Sequence, residues 1–220
     1  NTLSNVTPKR GKQSPPCTRL TPCVSSVTSC DGVSVGYAPD PSKKWYVMRA
    51  TYHREKKAYD YLISKGVEAY MPLHRRIRMV DGKRRIVNEP LLPNFLFVYA
   101  TPEVIKIYSK NDPNLTFLNH YYDHFHLQEN GCNPPLTISE EAMQNFIRVT
   151  SIDNKHVRVV APENCHYKSG DMVRVIDGQF KGVVGKVARV AGQQRVVVEV
   201  EGVCLVSTAY VPTAFIESIK

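Results

Sequence analysis

Ten residues, Pro90 to Tyr99, read P-L-L-P-N-F-L-F-V-Y and constrain this chain more than any others. Two prolines bracket a Leu-Leu pair, and apolar or aromatic residues then run without a charge, as a strand buried on both faces requires. Proline cannot donate to a sheet ladder, so Pro93 belongs at the strand entrance, with Asn94 supplying a turn. The strand proper is Phe95 to Tyr99. Side chains alternate along a strand, so Phe95, Phe97 and Tyr99 share one face while Leu96 and Val98 share the other. Aromatics of a central strand ordinarily pack a core. Three on one face is more than a core of this size usually needs, so a contact surface stands beside core packing as a second use.

With 220 residues, 42% of them hydrophobic, the chain can bury a real core and has the length of one or two domains. Its 29 Lys and Arg against 20 Asp and Glu leave a formal charge of +9, which favours polyanionic partners through the summed field. No apolar run approaches the roughly 18 to 20 residues that span a bilayer. The opening N-T-L-S-N-V-T-P-K-R-G-K lacks the apolar block of a secretory signal, so a cytoplasmic location is expected and no membrane partner. Six cysteines, none in a C-x-x-C pair, indicate neither a disulfide framework nor a zinc site.

Residues 1–42 are rich in Ser, Thr, Pro, Gly and Lys and show no helical or strand period. Such a composition buries too little apolar surface to offset its ordering entropy, so a disordered leader is expected there. Cys17, Cys23 and Cys30 lie in it at spacings that suit no metal. At Lys43 the texture changes. K-K-W-Y-V-M-R-A reads as a short strand, with Trp45 and Val47 on one face and Tyr46 and Met48 on the other. From His53 to Lys65 the residues Ala58, Tyr59, Leu62 and Ile63 recur at helical spacing, Gly66 supplies a stop, and Arg54, Lys56 and Lys57 occupy the opposite face. Val67 to Leu73 returns as a strand, completing a βαβ unit.

Arg75 to Val87 alternates basic and apolar residues around Asp81-Gly82, a strong two-residue hairpin signal. Arg76, Arg78, Lys83 and Arg85 flank Ile77, Met79, Arg84 and Ile86, either as a solvated ribbon or as a nucleic-acid contact. After the central strand, Thr101 and Pro102 open a helix expected to reach about Lys110, and Leu115 to Leu118 reads as a short strand. Ser139-Glu140-Glu141 caps a third helix through Arg148, with Met143, Phe146 and Ile147 inward. Between them H-Y-Y-D-H-F-H, His120 to His126, offers three histidines and a carboxylate, but no further ligand cluster completes a site and no metal is expected. Thr150 to Ser169 is polar and irregular, as a linker is. Short valine-rich strands separated by Gly178, Gly182, Gly192 and Gly202 then predict a small all-β barrel. β-branched valines are disfavoured in helices, so a barrel and not a helical hairpin is expected in this region.

Three pieces in order, K-W-Y-V-M-R-A, E-P-L-L-P-N-F-L-F-V and G-D-M-V-R-V-I-D-G-Q-F-K-G-V-V-G-K-V, resemble the NusG family of transcription elongation factors, the last piece being similar to a KOW motif. The stretch V-D-G-K-R-R-I-V-N-E-P-L-L-P-N-F-L-F-V-Y resembles the specialised RfaH-like or UpxY-like paralogues, which serve polysaccharide operons. Asn94 stands where the housekeeping factor has Gly, and Leu92 where an aromatic is common. The resemblance implies an α+β fold: a NusG N-terminal-type α/β sandwich over 43–151, a linker over 152–168 and a small KOW (SH3-like) β-barrel over 169–220. It implies an antitermination or elongation factor without catalytic residues or cofactors, bacterial, cytoplasmic and nucleoid-associated during transcription. Tyr46, Leu92, Phe95, Phe97 and Tyr99 would rest on the clamp helices of RNA polymerase. Arg54, Lys57, Arg76 and Arg78 would face upstream and non-template DNA. Phe180 would serve the barrel's partner, either Rho or a small-subunit ribosomal protein. A KOW-containing RNA-binding or ribosome-associated protein is the alternative reading, and it leaves Lys43 to Thr150 without a use.

Overall fold

The computed structural model describes residues 40–129, 131–152 and 155–219; residues 1–39 of the expected leader, with its three cysteines, lie outside them. In chain order the elements are β1 (Lys44–Ala50), α1 (Glu55–Ser64), β2 (Glu68–Tyr70), β3 (Leu73–Val80), β4 (Lys83–Pro90), β5 (Phe95–Ala100), α2 (Pro102–Lys106), β6 (Leu118–His120), β7 (Thr137–Ile138), α3 (Glu140–Thr150), β8 (Arg158–Val160), β9 (His166–Val175), β10 (Val184–Val190), β11 (Gln193–Val200), β12 (Cys204–Tyr210) and β13 (Ile216–Ser218). The strands fall into three sheets. The first runs β2-β5-β1-β6, with β7 also paired to β1; the second runs β13-β9-β10-β11-β12-β8; the third is the ribbon β3-β4.

The expected βαβ unit is present in split form. Both β1 and β2 pair antiparallel with β5, so they run parallel to each other with β5 inserted between them. This makes Phe95–Ala100 an interior strand, as its charge-free run requires. Asn94 takes φ 68° at its entrance, and its carbonyl accepts from the Ala50 amide at 2.8 Å. Register then divides the apolar residues. Trp45 lies opposite Tyr99 and Val47 opposite Phe97, and this face packs against α3, where Phe97 meets Phe146 at a ring distance of 5.1 Å. Tyr46, Met48, Leu96 and Val98 form the other face, buried with Ala58 and Leu62 of α1 and Ile105 of α2.

Helix α3 is the hinge of the packing. Ser139 caps it by accepting from the Ala142 amide, and Met143, Asn145, Phe146, Ile147, Val149 and Thr150 are all buried. A surface helix buries one stripe; this one is enclosed because it lies between the first sheet and strands β11 and β12. Its polar residues serve the junction. The Asn145 side-chain oxygen accepts from the Val184 amide at 3.2 Å, and the Arg148 guanidinium donates to the Gly182 carbonyl at 2.6 Å. One apolar cluster therefore runs from Trp45 and Phe97 through Phe146 to Val175, Phe180 and Val198.

Two sequence expectations shift. The strand expected over Leu115 to Leu118 is displaced to Leu118–His120, because Pro113–Leu115 form a 3₁₀ turn capped by Asp112. The linker expected over 152–168 is partly absorbed into the second sheet: Arg158–Val160 pair with β12, and β9 begins at His166. Buried Arg195 helps fix that entry by donating to the carbonyls of His156 and Thr208 at 3.0 and 3.1 Å. The all-β expectation for the C-terminal part agrees with the six strands seen there.

Candidate functional site

The aromatic face of β5 is assembled as the alternation predicts, but it is covered. Phe97 and Tyr99 are buried in the cluster under α3, together with Leu92. The Tyr99 hydroxyl is further occupied, accepting from the Asp40 amide at 2.8 Å. Phe95 alone of the three is only partly buried, at the strand entrance, with its ring against Tyr121 at 5.2 Å. Tyr46 does not join them. It pairs with Val98 and so belongs to the α1 side of the sheet. Phe180, expected to meet a partner through the barrel, is likewise buried in the shared core.

Two basic faces are exposed. Arg54, which precedes α1, stacks its guanidinium on the ring of buried Phe117 at 4.2 Å, and Lys57 lies over the same ring at 5.8 Å. Their three-residue spacing does place them together. Beside them Tyr52 is 84% exposed in a left-handed conformation, φ 59°, also within 5.4 Å of Arg54. Nothing in the hydropathy pattern marks that tyrosine, because the signal is a backbone conformation.

The ribbon β3-β4 turns at Asp81 and Gly82, both at positive φ, as a two-residue hairpin loop demands. Its register separates two faces. Ile77 lies opposite Ile86 and Met79 opposite Arg84, while Arg78 lies opposite Arg85 and Arg76 opposite Val87. Ile77, Ile86 and Met79 are 65 to 70% exposed. Arg78 is held by Glu89 at 2.6 Å, and Arg76 lies 3.9 Å from the same carboxylate. Arg54 and Lys57 carry no carboxylate contact of this kind among the described ion pairs, whereas the two ribbon arginines are partly neutralised.

The histidine-rich loop forms local contacts. His126 bonds Asp123 at 2.9 Å, His120 bonds Ser109 at 3.0 Å, and His124 contacts Asn133 at 3.5 Å. The bond and charge of Asp123 raise the His126 pKa, while backbone amides and His126 lower that of Asp123. Among the described residues no group of three or more His, Cys, Asp or Glu is placed to hold a metal ion, and no helix is long and apolar enough to cross a membrane.

The fold is therefore a mixed α/β domain with a split βαβ sheet and a basic ribbon, packed through α3 against a small antiparallel β unit. Residues 43–147 match the family model described as transcription termination factor NusG, so this stretch of the chain is a NusG domain. A solved structure described as "Domain interaction in Thermotoga maritima NusG" is similar with 18% identity and a TM-score of 0.40, over 81% of this chain and 98% of that one.

Proposed function

We propose that this protein is a specialised elongation factor that binds RNA polymerase through its NusG domain and suppresses pausing or termination at particular operons, such as those for polysaccharide biosynthesis. The NusG domain over residues 43–147 carries the reading. Contact is made with the polymerase clamp helices at the edge of the aromatic face, where Phe95 and Tyr121 are reachable, and Leu92, Phe97 and Tyr99 form the rigid floor beneath. Because the core continues from this face through α3 into the second sheet, release of that sheet from α3 would enlarge the apolar surface on offer. Arg54 and Lys57 then lie toward upstream and non-template DNA, with Arg76 and Arg78 in a lesser role because Glu89 shares their charge. The second sheet is left to recruit Rho or a small-subunit ribosomal protein.

The test is transcription by bacterial RNA polymerase on a template with a strong pause and a terminator, with and without the protein. Longer transcripts and shorter pauses are expected. Phe95→Ala should weaken polymerase binding by about 2 kcal/mol if Phe95 is an anchor, with little loss of stability because its ring is only partly buried. Unchanged pausing with wild-type protein, or unchanged affinity in the folded variant, would overturn the reading.

A further inference from the structure

At the foot of the ribbon, where the chain passes from α3 into β8, lies a cleft of about 470 Å³. His74, Arg75 and Arg76 of β3 line one side, and Lys155 and Arg158 line the other. No carboxylate is among its described lining residues. Glu89, the cross-strand neighbour of His74, is bonded to Arg78 at 2.6 and 3.2 Å and lies 3.9 Å from Arg76, whose charge it offsets only in part. Cations gathered from two parts of the fold raise one another's energy, and an anion between them lowers it. His74 adds a second observation. Both of its ring nitrogens are buried without a hydrogen-bond partner, an arrangement that a folded chain rarely leaves unanswered. Burial holds this imidazole below its ordinary pKa, and the charge of Arg76 adds to that against the opposing charge of Glu89.

We propose that this cleft is a phosphate-binding site, in which Arg76 and Arg158 supply planar guanidinium donors and Lys155 a point charge to a phosphate ester or polyphosphate. Guanidinium groups match phosphate oxygens in geometry, and the cleft has the size of an ordinary small-ligand site. The bound group fastens the foot of the ribbon to the second sheet, so occupancy and the relation of the two parts are coupled. The site shares only Arg76 with the DNA-facing residues above and does not depend on polymerase binding.

Two ligands distinguish the possible sources of the phosphate: pyrophosphate, read by calorimetry, and a short oligothymidylate, read by fluorescence anisotropy, both with the full chain. The variant Lys155→Gln/Arg158→Gln alters two exposed side chains, and Lys83→Gln/Arg85→Gln removes the same charge from β4 outside the cleft. Pyrophosphate should lose at least about tenfold in affinity in the first variant, as two charge-assisted contacts imply, and keep its affinity in the second. Its addition to wild-type protein should also shift the His74 ring resonances. If the oligonucleotide shows the same dependence on Lys155 and Arg158, the natural ligand is a nucleic-acid strand; if only pyrophosphate does, it is a free polyphosphate. Equal losses in both variants, or an unmoved His74 resonance, would mean diffuse surface charge and overturn the proposal.

Discussion

Phe97 has no exposed surface and touches Phe146 across the core, so its truncation belongs among cavity-forming substitutions. Phe97→Ala should lose about 3 to 5 kcal/mol of stability, read from denaturant midpoints, and any accompanying loss of polymerase binding follows from that. The contrast with Phe95, two residues away on the same face, could not be read from the sequence. Alternation tells which side chains share a face but not how far a helix arriving 45 residues later will reach across it. Tyr46 shares a face with Met48, as alternation predicts, but which side of the sheet that face becomes depends on register with β5, and the Tyr46 to Val98 pairing is set by long-range contacts. The pair His126 and Asp123 gives a residue-level prediction. A raised imidazole pKa means that the folded state holds the proton more tightly, so the pair stabilises fully below the unfolded value of about 6.5. That contribution disappears as pH rises through the folded value. An NMR titration of Asp123→Asn should show the His126 midpoint falling back, and an unchanged midpoint would remove Asp123 as its cause.

At the scale of elements the sequence was a good guide wherever a local rule acts alone. Asp81-Gly82 specified the ribbon turn, Ser139 and Thr101 marked helix starts, and the valine-rich runs gave the C-terminal strands. It failed where an element is short and held mainly by partners. Arg158–Val160 lies in the β-branched run V-R-V-V from Val157 to Val160, but the run is too short to stand out from the polar residues around it; pairing with Leu205, Val206 and Ser207 makes it a strand. Arg54 and Lys57 show the intermediate case, since spacing placed them on one face but not over the Phe117 ring. Replacing both with Ala should weaken DNA binding and flatten its salt dependence by about 0.7 to 0.9 in log-log slope per phosphate contact removed. Anisotropy across a salt series reads that slope, and a slope equal to wild type would leave this face merely solvated.

Across the whole molecule, the second sheet begins earlier than its motif suggests. A fragment starting at residue 155 retains β8 and the first part of β9, whereas one starting at 169 loses β8 with Val160 and Cys165, exposing the β12 edge and the Ala188, Val190, Val197 and Leu205 that they pack against. The longer fragment should melt cooperatively with the strand chemical shifts of the intact chain; the shorter should melt lower, and equal melting would show that β8 contributes no stability. The split βαβ arrangement also has a consequence in time. β2 has no partner until β5 has been made, β1 must wait for β5 or for the still later β6 and β7, and β2 and β5 are separated in the chain by the whole ribbon. The ribbon's own pairing is local, and hairpins close in about 1 to 10 μs, far ahead of contacts that wait on long loops. When Leu73 meets Pro90 and the Leu91 amide reaches the Pro72 carbonyl, Tyr70 and Phe97 are brought within a few residues of registering. The ribbon therefore acts as a zip fastener for the sheet, and a residue unable to adopt the Gly82 turn should slow refolding of the entire domain far more than it speeds unfolding.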